Sequence, residues 1–131
     1  MGSRLTIRID FESGAALGPG KVRLLELIAE TGSIRKAAAG MKMSYRQAWL
    51  LLQALAEAFG APLAATATGG RAGGGARLTP LGDTVVRRYR SLEKAAGRAV
   101  GADLTALEKA LSGPVLPQKR RKLSRRSAKY S

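Results

Sequence analysis

The chain has 131 residues, 45% of them apolar and 5% aromatic, with 23 Lys and Arg against 9 Asp and Glu and neither Cys nor His. This length fits one domain with a tail, and the core must be built from aliphatic side chains and alanine. A net charge of +14 calls for a polyanionic partner, nucleic acid or an anionic membrane, and the missing Cys and His exclude disulfides, thiolate or imidazole metal sites and the usual nucleophile–base pairs. The nine carboxylates are scattered without a spacing that suits acid–base work, so no enzyme, no cofactor and no metal are expected. No apolar h-region opens the chain, and no stretch approaches the about 18–20 apolar residues that span a bilayer, so a cytoplasmic protein is expected.

In chain order, Arg4–Phe11 alternates polar and apolar with period two, which predicts a strand with Leu5, Ile7, Ile9 and Phe11 on one face. Gly14, Gly18, Pro19 and Gly20 mark a loop. A helix over about Lys21–Thr31 follows, with Val22, Leu24, Leu25, Leu27 and Ile28 as a broad apolar face and Gly32 as its cap. Ser33 is the N-cap of a short helix that ends near Gly40, and Met41–Met43 make a turn. Ser44 opens the next helix through a capping box with Gln47, and Gly60-Ala61-Pro62 ends it after Phe59. Trp49, Leu52, Ala56 and Phe59 are spaced to face the core, with Arg46, Gln47 and Gln53 on the other side.

Leu63–Thr68 and Ala76–Leu78 are short strand candidates around a glycine-rich tip, Thr68–Ala76, that carries Arg71. Thr79-Pro80 then starts a long helix to about Val100, Thr as N-cap and Pro in the first turn. Its apolar positions are Leu81, Val85, Val86, Tyr89, Leu92, Ala95 and Ala96, and Arg87, Arg88, Arg90, Lys94 and Arg98 are expected on its solvated faces. A shorter helix is expected over Ala102–Leu111. From Gly113 the composition changes: Pro114 and Pro117 break helix, and seven cations from Lys119 to Lys129 follow with no acidic residue. The division expected is a folded domain over 1–113 and a basic, disordered tail over 114–131.

The expected fold class is mainly α with a small β-hairpin wing. Gly32–Thr79 reads as a winged helix–turn–helix, a helix able to enter the major groove beside a basic hairpin that reaches phosphate or the minor groove. Ser44–Trp49 and the wing sequence Ala67–Thr79 resemble the N-terminal DNA-binding domain of the ModE-type molybdate-responsive regulators, itself related to the LysR-type helix–turn–helix. The resemblance covers roughly Leu5–Ala96. It implies a homodimer paired through the long helix after the wing, with a palindromic operator read by the helix that starts at Ser44. Two departures stand out. The chain ends at Ser131 with a basic tail where family regulators carry molybdate-binding repeats, so molybdate is not expected as a ligand. Leu50 also stands where family members often have an acidic residue.

Each candidate DNA contact has a plainer alternative. Arg46 either forks onto guanine O6 and N7 or is a solvated surface residue; Gln47 and Gln53 are placed to pair with adenine, although Gln47 alternatively only closes the capping box. Ser44 and Tyr45 approach the groove with them, Tyr45 donating to phosphate, lying on sugar or packing into the core. Trp49 is expected in the core. Ser33, Arg35, Lys36 and Lys42 either anchor phosphates or form a solvated face. Thr68, Gly69, Gly70, Arg71 and Arg77 of the wing either touch DNA or belong to a plain hairpin. The Walker pattern fails because Val22 follows Gly20-Lys21, so the glycines do not read as a nucleotide cradle. The tail adds affinity that falls with salt, and with Leu123 and Tyr130 as its apolar anchors it holds a membrane weakly. The function expected is a dimeric, sequence-specific transcriptional regulator; the rivals are an architectural DNA-binding protein with little sequence preference and a protein-interaction adaptor using Leu50 and Leu51.

Overall fold

The computed structural model describes residues 3–67 and 75–111. In chain order its elements are β1 (Ile9–Asp10), β2 (Ala16–Leu17), α1 (Pro19–Thr31), α2 (Ile34–Gly40), α3 (Tyr45–Phe59), β3 (Ala64–Ala67), β4 (Gly75–Leu78), α4 (Pro80–Ala99) and α5 (Gly101–Ala110). Of the described residues, 5–98 form one compact unit and 3–4 with 99–111 another. The predicted mainly helical fold with a β-hairpin is the observed one. The wing tip, Thr68 to Gly74, and the basic tail fall outside the described residues. No helix among the described residues is long and apolar enough to cross a membrane.

The core of the first unit is organised around α1. Pro19 occupies its first turn, where the missing N–H has no helical acceptor to lose. Gly32 ends it in the left-handed region at φ 71°, its N–H bonded to Ile28 O at 2.8 Å. Between these stops Val22, Leu24, Leu25 and Ile28 are fully buried. Ile34, Ala37 and Ala38 of α2 and Ala48, Leu52 and Leu55 of α3 close over them. Three of those six are alanine, so α2 and α3 can approach closely without large side chains between them.

The alternation of Leu5, Ile7 and Ile9, each half-buried, with exposed Arg4, Thr6, Arg8 and Asp10 is as predicted. The ladder is much shorter than the predicted strand. Only Ile9–Asp10 pairs, antiparallel, with Ala16–Leu17, a strand in the segment expected to be loop. Phe11 N–H to Ala15 O (2.8 Å) and Gly14 N–H to Phe11 O (2.9 Å) turn the chain at that point. Phe11 leaves the expected face: it is exposed and meets the Phe59 ring edge-on at 6.2 Å. The extended segment is held by Tyr89, whose buried hydroxyl donates to Ile7 O at 2.6 Å.

β3 and β4 pair antiparallel from Ala64↔Leu78 to Ala67↔Gly75. Two backbone bonds tie this hairpin to the helices: Ala76 N–H to Gly32 O at 2.8 Å and Thr79 N–H to Leu63 O at 3.0 Å. Thr79 caps α4 as predicted, its Oγ1 accepting from Gly82 N–H at 3.1 Å while donating to Pro62 O at 2.8 Å. Helix and strand come so close here that a Cβ on Gly82 would collide with the Leu63 carbonyl oxygen.

α4 buries Val85 and Tyr89 and half-buries Leu81 and Val86, as its pattern predicts. Further along, the expected face is uncovered: Leu92 is 40% exposed and Ala95 is also exposed. Arg90, expected on a solvated face, is instead clamped. It donates to Glu26 of α1 through Nε (3.0 Å) and Nη2 (2.9 Å) and to Glu93 through Nη1 (2.7 Å). Arg23 adds contacts to Glu26 and Glu30. The Arg90 guanidinium holds the Glu26 carboxyl below its ordinary range, against the opposing effect of partial burial.

In the second unit α5 buries no residue, and Leu107 and Leu111 are exposed. The Ser3 backbone N–H and hydroxyl donate to the Glu108 carboxylate at 2.7 and 2.6 Å, and with the hydroxyl leading they hold that carboxyl below its usual range.

Two outcomes follow from these contacts. Gly82→Ala is expected to destabilise the fold by about 1–3 kcal/mol in urea unfolding, because the new methyl strikes backbone. Helix propensity alone would raise stability by roughly 1 kcal/mol, so the sign decides between the two. For the α1–α4 clamp, Glu26 is more acidic folded than unfolded. Its contribution is therefore full above the unfolded value of about 4.3 and lost as pH falls through the lower folded value. Unfolding measured from pH 7 to pH 2.5 is expected to show that acid loss, reduced in Glu26→Gln.

Candidate nucleic-acid interface

The interface is set by how α2 meets α3. Ser33 Oγ accepts the Lys36 N–H at 3.0 Å and starts α2. The turn after it places Lys42 in the left-handed region at φ 58°, a conformation a side chain rarely adopts. Met43 N–H and Lys42 N–H return to Ala38 O and Ala39 O, both at 3.0 Å, and half-buried Met41 and Met43 fasten the turn to the core. At α3 the predicted capping box is complete: Ser44 Oγ accepts from Gln47 N–H at 3.0 Å and Gln47 Oε1 from Ser44 N–H at 3.4 Å.

Locally encoded caps thus hold two helices at a tight turn, and their outer surfaces carry the predicted residues. Arg35, Lys36, Lys42, Ser44, Tyr45, Arg46, Gln47 and Gln53 are all exposed, and Ser33 is half-buried at its cap. Tyr45 lies on this surface rather than in the core, with the Arg35 guanidinium 4.4 Å above its ring. From Thr31 to Ala56 the sequence has four cations, Arg35, Lys36, Lys42 and Arg46, and no carboxylate. Gln47 is engaged in the cap through its oxygen, so a bidentate adenine fork, which needs oxygen and nitrogen together, requires the cap to open. Arg77 is exposed on β4. Thr68, Gly69, Gly70 and Arg71 lie outside the described residues.

Trp49, whose spacing predicts a place in the core, is instead 38% exposed. The buried line of α3 is Ala48, Leu52 and Leu55, with Leu51 and Phe59 half-buried, which turns Trp49 out by the roughly 100° that separate neighbouring helical residues. Its ring edge meets Tyr45 at 6.3 Å. Leu50, beside it, is 51% exposed. Trp49, Ile34, Gln53, Ala56 and Thr66 line a shallow hollow of about 230 Å³ between α3 and β3.

Residues 20–83 match the bacterial regulatory helix–turn–helix proteins of the lysR family. That segment is similar to the lysR-type helix–turn–helix family. The chain is also similar to the molybdenum-pterin-binding protein MopB of Rhodobacter capsulatus, 39% identical over 100 residues, 76% of this chain and 36% of that protein. It is 35% identical over 92 residues to the transcriptional regulator ModE of Haemophilus influenzae, 70% of this chain and 36% of that protein. The chain therefore spans about a third of the length of the curated relatives it matches. The crystal structure of a CbnR_DBD–DNA complex has the same fold, with a TM-score of 0.51 at 24% identity over 66% of this chain and 94% of that one. The lysR-type segment begins at α1 and ends inside α4, so it contains the whole α2–turn–α3 arrangement and the described strands of the wing.

Because the α3 cap is made by one hydroxyl, Ser44→Ala is expected to cost about 1 kcal/mol of stability in thermal or urea unfolding. Ser44→Asp, which keeps an acceptor at that position, is expected to restore most of it.

Proposed function

We propose that this chain is a DNA-binding transcriptional regulator that works in the cytoplasm as a homodimer and reads a palindromic operator. The observation that carries the reading is the capped α3, presenting Arg46 on a surface that has four cations and no carboxylate between Thr31 and Ala56. In this reading α3 enters the major groove, Arg46 forks onto guanine O6 and N7, and Gln53 reaches an adenine one further turn along. Arg35, Lys36 and Lys42, with the Ser33 and Ser44 hydroxyls, hold phosphates and fix the register of the helix. Arg77 and the wing residues Thr68–Arg71 track the backbone beside the groove. Gln47 adds a base contact when its cap opens. Dimerisation has the support of α4, whose exposed Leu92 and Ala95 continue the stripe that Val85 and Tyr89 bury in the core. Pairing through that helix places two α3 elements on successive turns of one duplex face. The relative named as a transcriptional regulator and the DNA complex that shares the fold support the same reading.

A second reading, an architectural protein with little sequence preference, draws on the tail, where seven of the 23 cations fall between Lys119 and Lys129. One experiment separates the two. Selection from random duplexes at about 150 mM salt, which suppresses purely ionic binding, is expected to return a palindrome. Arg46→Ala is expected to weaken binding to that palindrome by about 1–3 kcal/mol and to relax preference at one base pair per half-site. Removal of residues 114–131 is expected to lower affinity for all duplexes and flatten the salt dependence while keeping the preference. Recovery of no motif, or loss of nearly all binding with the tail, would establish the architectural protein instead.

A further inference from the structure

The exposed aromatic surface of α3 is not explained by the fold. Seven large apolar side chains are exposed among the described residues, and three of them, Tyr45, Trp49 and Leu50, lie within six positions on α3. Clustering of this kind marks a contact surface rather than the scattered exposure that any protein shows. The cluster also lies beside the candidate groove contacts. Trp49 is one turn from both Tyr45 and Arg46, Leu50 is one turn from Arg46, and Gln53 is one turn beyond Trp49, so these residues share the outer surface of one helix. The sequence around it is cationic: Arg35, Lys36, Lys42 and Arg46 are accompanied by no carboxylate from Thr31 to Ala56, and Glu57 follows one turn beyond Gln53. An apolar surface with the Arg35 and Arg46 guanidinium groups beside it suits a partner that is polyanionic and carries apolar groups on its accessible edge.

We propose that Trp49 reads thymine in the operator, its indole covering the C5-methyl groups that line the major groove beside the base contacted by Arg46. This inference rests on the proposal that α3 enters the major groove. The chemistry is selective. Phosphates offer an indole ring nothing apolar, whereas the C5-methyl of thymine is the one apolar group that the four base pairs present in that groove. Burying it removes both the methyl and the ring from water, and the gain is absent for cytosine and for uracil. The edge-on contact with Tyr45, itself under the Arg35 guanidinium, braces the indole on one side. A turn closer to the cap, Arg46 supplies the guanine contact and Trp49 supplies discrimination at its neighbour.

Trp49 is the only tryptophan in the chain, so its emission reports this side chain alone. Binding is measured by anisotropy of a labelled operator duplex, and tryptophan emission is recorded in the same titration. The emission is expected to change in step with the anisotropy; bound duplex with unchanged emission would overturn the proposal. Deoxyuridine is then placed for thymine, one position at a time, which removes only the methyl group. The wild-type chain is expected to lose about fourfold in affinity for each methyl the indole covers, the worth of one buried carbon. Trp49→Ala is expected to bind thymine and deoxyuridine duplexes equally, and Trp49→Phe to retain part of the difference. Because Trp49 lies off the core, both variants are expected to fold, which their unfolding curves check. Full thymine preference in Trp49→Ala would sink the proposal. If no duplex raises the anisotropy, the DNA-binding reading fails first and takes this one with it, so the two failures are told apart by the anisotropy alone.

Discussion

Everything else in the folded unit depends on the burial of one side of α1. Val22, Leu24, Leu25 and Ile28 are withdrawn completely from water, each transfer worth about 1.5–3 kcal/mol. The neighbouring elements are placed by their contact with that stripe. α2 and α3 join the same core through Ala37, Ala38 and Ala48 together with Ile34, Leu52 and Leu55, and the chain between them has only Met41–Ser44 in which to turn. The hairpin is fastened to the end of the same helix by the bond from Ala76 N–H to Gly32 O. Polar contacts then lock what the core has arranged: Glu26 of α1 holds Arg90 of α4, and Tyr89 of α4 holds the backbone at Ile7. α2 packs against both α1 and α3, so the position of α3 follows from that of α1 through it.

The interface is built by a different kind of force. Its helices start where side-chain hydroxyls satisfy the first free amides, Ser33 for α2 and Ser44 for α3. Those bonds are local and do not depend on the rest of the chain. They fix where each helix begins, while the core fixes which way it points. The exposed surface that results combines guanidinium and ammonium groups, which act at a distance on any polyanion, with an apolar cluster at Tyr45, Trp49 and Leu50 that acts only on contact. On the reading proposed above, the first supplies affinity without selectivity, and discrimination rests on the second and on the side chains beside it.

A cost accompanies that arrangement. An exposed tryptophan forgoes the stabilisation that burial would give, and Lys42 sits in a backbone conformation that glycine would adopt more easily. Both lie at the turn and in the helix that faces DNA on the proposed reading, where strain and exposed apolar area would serve recognition. In the folded unit away from this surface, buried polar groups are paired and the longer apolar side chains of α1 are covered.

The caps, turns and helix order were legible in the sequence, because each rests on residues within four positions of one another. Ser33, Ser44 with Gln47, Thr79-Pro80 and Gly32 mark helix ends by chemistry contained in neighbouring residues. The charge that points to a polyanion was legible as well, since it is a property of composition. The rotation of α3 was not. Trp49 fits the spacing of Leu52, Ala56 and Phe59, and its size suggests burial, yet the core takes Ala48 and leaves the indole on the outer surface. Nor could the pattern show that Arg90, 64 residues from Glu26, is held in an ion pair, or that Gly82 is needed where Leu63 crosses it. Local hydrogen bonding is written in neighbouring residues, whereas the choice of which helix face turns inward belongs to the shape of the space left by other helices, and that exists only once the chain has folded.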